Sequence, residues 1–374
     1  MTDSIPIDEQ LTLHVGQFID SMDPGGAENV VLNLASELPK HGIRVTVFHF
    51  GNPWLAEQIK SAGLDGVVLS ARYYKSIVAL PVFLSQFRTI LKDYDVGLLH
   101  SHLLGGIFAG SIAARLAGIP CIGTIHDVYS LTETGMNVRY LRWAQNAGCE
   151  LVAVCDAMCE EVTNSYGLRR MTRIYNGIDI DHYEARCENA TSSDVVRLIT
   201  VARAVPIKRL DVLLNAVASL DQGSPFELVI VGDGPLLGDL QRQAEELGVG
   251  NSVRFLGHRD DVARLLSESD IYTQVSDSEG LSISVLESMA AGLPAVVTDV
   301  GGNKELVSDG TTGFIVPPGD AQAVSRQLSK LIERPEKRIG FGHAARAKAA
   351  QTFTIGTMCQ NYARTMRVAS ERHA

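Results

Sequence analysis

No stretch of this sequence approaches the roughly 20 unbroken apolar residues that span a bilayer. The first ten residues, MTDSIPIDEQ, carry acids where a secretory signal would carry lysines. A cytoplasmic protein is therefore expected, with peripheral attachment to the inner face of the cell membrane as the most that the sequence allows. Basic charge is also scarce: 33 Lys and Arg against 43 Asp and Glu give a formal net charge of −10. A nucleic-acid partner, which needs a clustered basic face, is not expected. The six cysteines (Cys121, Cys149, Cys155, Cys159, Cys187, Cys359) never take the C-x-x-C spacing of metal ligands. Even Cys155 and Cys159, one helical turn apart, read as reduced thiols, and no metal site or cofactor is expected. Low-complexity tracts, blocks of like charge and internal repeats are missing too, so nearly all of the chain should fold.

At 374 residues, with 45% hydrophobic and 20% charged side chains, the chain exceeds one average domain and fits two. Short runs rich in Val, Ile and Leu alternate with longer helical patterns, which is the rhythm of βα units and parallel sheets. The strand candidates of the first half are LTLHVGQFI, RVTVFHF, DGVVLS, VGLLHSH, PCIGTIH, ELVAVC and TRIYN. Helical patterns such as AENVVLNLASELPKHG and GGIFAGSIAARLAG close at glycines suited to left-handed C-caps. The rhythm pauses in the polar stretch NGIDIDHYEARCENATSSD and restarts with VVRLITVAR, FELVIVGDG, SVRFLG, IYTQV, AVVTD and TGFIVP. This predicts an α/β protein of two doubly wound sheets, a first domain over 1–185 and a second over 186–353. A final helical segment covers 354–374. In such sheets ligands bind beyond the carboxyl ends of the strands, so chemistry is sought in those loops.

The most informative loop is SDSEGLSISVLESMAAGLP, residues 276–294. A helix starting near Ser282 would leave the N–H groups of Ser282, Ile283 and Ser284 free, a setting for phosphate or sugar oxygens. Glu279 before that helix and Glu287 inside it are spaced to accept bonds from different parts of one ligand. The bland alternative is a capped surface helix with two solvated acids. Arg203 and Lys208 follow the buried strand VVRLITVAR, where cations could neutralise a diphosphate leaving group in place of a metal. Gly25 and Gly26 open another helix after a strand, a turn that lets backbone approach a phosphate but is common without any ligand. His126 ends PCIGTIH as a sugar-hydroxyl partner or as a satisfied strand-end histidine; His100 and His102 are weaker candidates of the same kind.

Two patterns are set aside. Asp179-Ile180-Asp181 has a D-x-D form, but follows Asn176-Gly177 in the connecting stretch and reads as turn chemistry. Gly232-Asp233-Gly234-Pro235 starts like a dinucleotide fingerprint, yet the third glycine is displaced to Gly238. A nucleotide could still meet the backbone of Gly232 and Gly234. Residues 72–92, RYYKSIVALPVFLSQFRTILK, with Pro81 as a helix start, form either an interfacial amphipathic surface or an ordinary core-packing helix.

Taken together, GGAEN at 25–29, HD at 126–127, NGID at 176–179, VAR and IKR within 201–209, GDGP at 232–235 and EGLSISVLESMAAGLP at 279–294 resemble family four of the retaining GT-B glycosyltransferases. The resemblance runs over nearly the whole chain in order. It implies two Rossmann-like domains facing across a cleft, with the last helix crossing back to the first. It implies a hexosyltransferase that moves sugar from a nucleotide-diphosphate donor to a glycan or lipid-linked acceptor, without a metal. UDP-sugar is slightly preferred over GDP-sugar, and bacterial surface polysaccharide or lipopolysaccharide assembly is the leading setting. Carried over by motif, Glu287 binds the ribose, Glu279 the sugar, and Arg203 with Lys208 the diphosphate. Gly26 closes over the diphosphate, His126 meets the sugar, and the backbone from Gly280 through Leu281, Ser282 and Ile283 to Ser284 completes the pocket. Lipid-linked acceptors in the family add a weak membrane-surface contact. A sugar-nucleotide epimerase or hydrolase of the same shape stays open, as does a nicotinamide-dependent dehydrogenase.

Overall fold

The computed structural model describes residues 13–373 except 23–24, 75–77, 128, 130–134, 170, 186–194 and 222–224. Pro24, Cys187 and the whole of the polar stretch after Ala185, residues 186–194, therefore lie outside the described residues. By contacts the chain divides into one unit running to Gly177 together with the helix from Ile355, and a second unit, Ile178–Thr354.

In the first unit seven strands form one sheet: β1 (Leu13–Ile19), β2 (Ile43–His49), β3 (Asp65–Val68), β4 (Leu98–His102), β5 (Cys121–Ile125), β6 (Glu150–Ala153) and β7 (Thr172–Arg173). Their order is β3-β2-β1-β4-β5-β6-β7, and every described pairing is parallel. The second unit holds β8 (Val196–Val201), β9 (Phe226–Val231), β10 (Val253–Gly257), β11 (Ile271–Gln274), β12 (Ala295–Thr298) and β13 (Gly313–Val316) in the order β10-β9-β8-β11-β12-β13. These are also parallel. Strands such as LHVGQFI and FELVIV are buried along most of their length because helices cover both faces of each sheet. The order reverses between β1 and β4 in one sheet and between β8 and β11 in the other, which places a crevice at the carboxyl ends of those strand pairs.

The glycine-capped helices form as their sequences predict. Helix Gly26–Glu37 runs on into a 3-10 turn that ends at left-handed Gly42, and helix Leu104–Ala117 ends at left-handed Gly118. The last helix, Ile355–His373, belongs to the first unit. Its Tyr362 is fully buried and its hydroxyl lies 3.0 Å from Thr124 Oγ1 of β5.

Helix Leu80–Asp93 has Pro81 in its first turn. Phe83 and Phe87 on its inner face pack against Phe18, while Phe50 and Tyr74 complete one aromatic cluster. Tyr74, Phe83 and Phe87 of that stretch are thus spent in the core, while Val78 and Val82 face outward. No described helix is long and apolar enough to cross a membrane.

In the second unit the GDGP turn is shaped by close approach. Gly232 has φ 130° and Gly234 φ 156°, where L side chains are strained. A Cβ on Gly232 would lie 2.1 Å from the carbonyl oxygen of Ala202, and one on Gly234 2.6 Å from that of Ala204. The turn in turn fixes the loop after β8, since Ala204 N–H donates to the Asp233 carbonyl at 2.9 Å. Gly232→Ala is accordingly expected to cost about 1–3 kcal/mol in denaturant unfolding. Gly238→Ala, at a helical position where an added Cβ meets nothing within 4 Å, is expected to be neutral or stabilising.

Candidate active site

Lys208 and Glu279 come from the two loops that flank the reversal of strand order in the second sheet, after β8 and β11. Lys208 Nζ donates to Glu279 Oε1 at 2.6 Å, and the Glu279 side chain is only 8% exposed. Two further links stitch the same loops together. Asp277 N–H donates to the Ile207 carbonyl at 2.9 Å, and Arg209 pairs with both Asp277 and Asp211. Arg209 holds a left-handed φ of 47° to do so. The ion pair is a poor source of stability, because taking two charges out of water offsets most of their attraction. Removing one partner would instead leave a half-buried charge uncompensated.

Behind Glu279, Gly301 has φ 49°, and a Cβ there would fall 2.0 Å from the Glu279 carbonyl oxygen. Gly302 N–H donates to the Gly280 carbonyl at 2.8 Å. The loop carrying Glu279 and Gly280 thus rests on a glycine pair some twenty residues further on.

Helix Ile283–Ala290 begins directly after that loop with Ser282 as its N-cap, whose Oγ accepts Val285 N–H at 3.4 Å. The N–H groups of Ser282, Ile283 and Ser284 have no acceptor among the described residues. Three free donors at a helix start, with the macrodipole behind them, form an anion-binding corner. Leu281 packs into the core beneath it. The two serine hydroxyls are held from below by β11. Tyr272 donates to Ser284 Oγ at 2.8 Å, Gln274 Nε2 donates to Ser282 Oγ at 2.8 Å, and the two Oγ atoms are 3.2 Å apart.

Glu287 lies one turn inside this helix and accepts the Tyr183 hydroxyl at 3.0 Å. Burial pushes its carboxyl up to about 7, with the Tyr183 hydrogen bond acting in the opposite direction. Arg203 is exposed after β8 and carries no ion pair among the described residues, so its guanidinium is available. Gly232 and Gly234 adjoin its loop. Asp179 Oδ1 accepts the Asp181 N–H at 3.1 Å, the local turn that the D-x-D spacing predicts.

The other sequence candidates sit in the first unit. Gly25 is the extended N-cap of helix Gly26–Glu37, beyond the end of β1. His126 follows β5, and its Nε2 lies 3.0 Å from Nδ1 of His102, whose Nε2 lies 3.2 Å from Gln17 Oε1. His100 bonds Thr124 instead, at 2.8 Å. Burial lowers all three imidazoles, His126 to about 4 and His100 to about 3, and His102 well below its ordinary value. They are neutral at physiological pH, and His126 reaches the sheet's carboxyl edge as one end of a hydrogen-bonded row.

Tyr183, Gln274, Tyr272, Arg209 and the Gly301–Gly302 pair were not candidates from sequence. Arg209 stood in the quoted IKR motif without a role, and Gln274 is a polar residue buried within the strand IYTQV.

Two parallel-sheet Rossmann-like units with strand-end loops of this kind define a GT-B fold. The sequence model of Glycosyltransferase Family 4 matches residues 24–182, and that of Glycosyl transferases group 1 matches residues 183–348. The N-acetyl-alpha-D-glucosaminyl L-malate synthase of Bacillus anthracis is 30% identical over 90% of this chain and 92% of its own. The putative glycosyltransferase EpsD of Bacillus subtilis is 27% identical over 75% of this chain and 80% of its own. Among solved structures, Anabaena HepE in complex with UDP-glucose superposes with a TM-score of 0.84 at 24% identity, covering 96% of this chain and all of that one. The chain belongs to the group 1, family 4 glycosyltransferases and is an enzyme of that class.

The imidazole row generates a pH test. Because the folded forms hold these histidines below the unfolded value of about 6.5, the stability they contribute is present above that pH and is lost as pH falls toward 4. Glu287, raised in the folded state, contributes with the opposite sign between its unfolded value and about 7. His100→Phe leaves that contribution unchanged. The difference in unfolding free energy between wild type and His100→Phe is therefore expected to shift toward the variant as pH is lowered from 6.5 to 5. A pH-independent difference would contradict the buried, neutral assignment.

Proposed function

We propose that this enzyme transfers a sugar from a nucleotide-diphosphate donor to a glycan or lipid-linked acceptor with retention of configuration and without a divalent metal. A UDP-sugar is the preferred donor and bacterial surface polysaccharide or lipopolysaccharide assembly the setting. The observation that carries this reading is the corner formed by the three free N–H groups of Ser282, Ile283 and Ser284, flanked by Glu279, Lys208 and Glu287. In this reading Glu287 receives the ribose hydroxyls and Glu279 those of the transferred sugar. The helix start, Lys208 and Arg203 take the diphosphate, with backbone from Gly280 and Leu281 and from the Gly232–Gly234 turn beside it. In the first unit, Gly25 and Gly26 are assigned to the diphosphate and His126 to the sugar.

The physical logic is that of leaving-group stabilisation. A diphosphate departs as charge develops on its bridging oxygen, and donors preorganised in a desolvated site stabilise that charge where bulk water would have to reorganise. Fixed N–H groups together with Lys208 supply what a divalent ion supplies elsewhere. Displacement on one face of the sugar, with a departing phosphate oxygen accepting the acceptor's proton, then needs no carboxylate nucleophile. Support for a uridine donor comes from the UDP-glucose found with HepE.

Glu279→Ala and Lys208→Ala are each expected to lower transfer by about a hundredfold or more, with an unchanged circular dichroism spectrum. Chelator is expected to leave the wild-type rate unaltered. Unaltered turnover in both variants, or activity lost in chelator and restored by manganese, would overturn the assigned roles. A thermal-shift comparison of UDP- and GDP-sugars checks the donor base, with the larger shift expected from a UDP-sugar.

A further inference from the structure

Tyr183 lies in the irregular segment that opens the second unit, 104 positions before the carboxylate it touches. Its hydroxyl donates to Glu287 Oε1 at 3.0 Å, and the residue as a whole is 6% exposed. The segment is held in place by Arg346 of helix Pro335–Thr352. The Arg346 guanidinium donates to the Tyr183 carbonyl at 2.8 Å and to the Ile180 carbonyl at 3.4 Å, and also reaches the Ala290 carbonyl at the end of the helix that carries Glu287. One guanidinium thus ties both the tyrosine's backbone and the carboxylate's helix to the same point. This fixes the phenol against the carboxylate with little freedom to leave it.

We infer that Tyr183 is a positioning residue for donor binding: it occupies one oxygen of Glu287, presents the other to the ribose hydroxyls, and keeps the carboxylate ionised when the donor arrives. The inference rests on the proposed ribose role of Glu287. Two donating hydroxyls of a ribose are best received by a carboxylate and only poorly by a carboxylic acid, whose own proton competes for an oxygen.

Every group facing Glu287 bears on this balance. Tyr272 is a fully buried phenol that senses both Glu287 and Glu279. Asp179 lies near Tyr183 and raises its phenol, as Glu287 does. No cation pairs with Glu287 among the described residues: Lys208 is committed to Glu279 and Arg346 to carbonyl oxygens. Among the described residues, the Tyr183 hydroxyl is therefore the one hydrogen-bond donor side chain that favours the charged form against the burial that disfavours it. Without it, burial would push the carboxyl higher still and disfavour the ionised form that receives the ribose hydroxyls.

The test is calorimetric titration of wild type, Tyr183→Phe and Glu287→Gln across pH. The probe is whichever of UDP-glucose and GDP-mannose gives the larger thermal shift. Both carry the ribose, and their diphosphate diesters do not titrate near neutrality. Wild-type affinity is expected to rise as pH increases through about 7. In Tyr183→Phe the midpoint moves to higher pH, so that affinity falls by about threefold to tenfold at neutral pH and by less than about twofold near pH 9. Glu287→Gln is expected to bind weakly with no such pH dependence. A Tyr183→Phe profile that overlays wild type, or one weakened by the same factor at every pH, would overturn the role given to Tyr183. Wild-type binding and profile in Glu287→Gln would instead overturn the ribose assignment itself.

Discussion

The loops after β8 and β11 are joined where Lys208 donates to Glu279 at 2.6 Å, and the donor site proposed for the second unit depends on that junction. Coulomb attraction at this distance is large in a dry interior, yet the desolvation of both groups offsets most of it. The pair therefore contributes little to folding while fixing two charges of opposite sign within one small space. A ligand with both hydroxyls and phosphate oxygens can satisfy each of them at once. The backbone pairing of Asp277 with Ile207, the Arg209 ion pairs and the Gly301 contact all hold the same two loops in register. Rigidity of this kind is what a site needs if its donors are to stabilise a developing charge without first reorganising.

The junction exists because of topology. In a parallel sheet wound outward in both directions, the crevice opens where neighbouring strands send their connections to opposite faces. β8 and β11 are that pair here, so two loops widely separated in sequence end as neighbours. The strands beneath them bury several polar side chains, Thr200 of β8 and Tyr272, Thr273 and Gln274 of β11. Of these, Tyr272 and Gln274 support the serines of the helix start. Polar groups buried at such a position need partners, and the Tyr272 hydroxyl and Gln274 Nε2 find theirs in Ser284 and Ser282.

Much of this was legible in the sequence, for reasons that differ by element. The strands showed because burial on both faces demands unbroken Val, Ile and Leu runs, and the helix ends because Gly42 and Gly118 adopt left-handed geometry. The Glu279 to Glu287 segment showed because a helix start after a buried strand has a local signature. What did not show depends on strand order. Gln17, His102 and His126 form a row only because β1, β4 and β5 lie side by side. Tyr183 reaches Glu287 across more than a hundred residues, and Gly301 matters through where another loop's carbonyl falls. None of these contacts leaves a periodicity or a spacing to read.

The most direct measurement is a crystal structure of the protein with its preferred nucleotide-sugar. The account predicts diphosphate oxygens within hydrogen-bond distance of the N–H groups at Ser282, Ile283 and Ser284 and of Lys208, with ribose hydroxyls on Glu287 and no metal bridging the phosphates. A diphosphate seated away from that helix start, or held by a divalent ion, would contradict it.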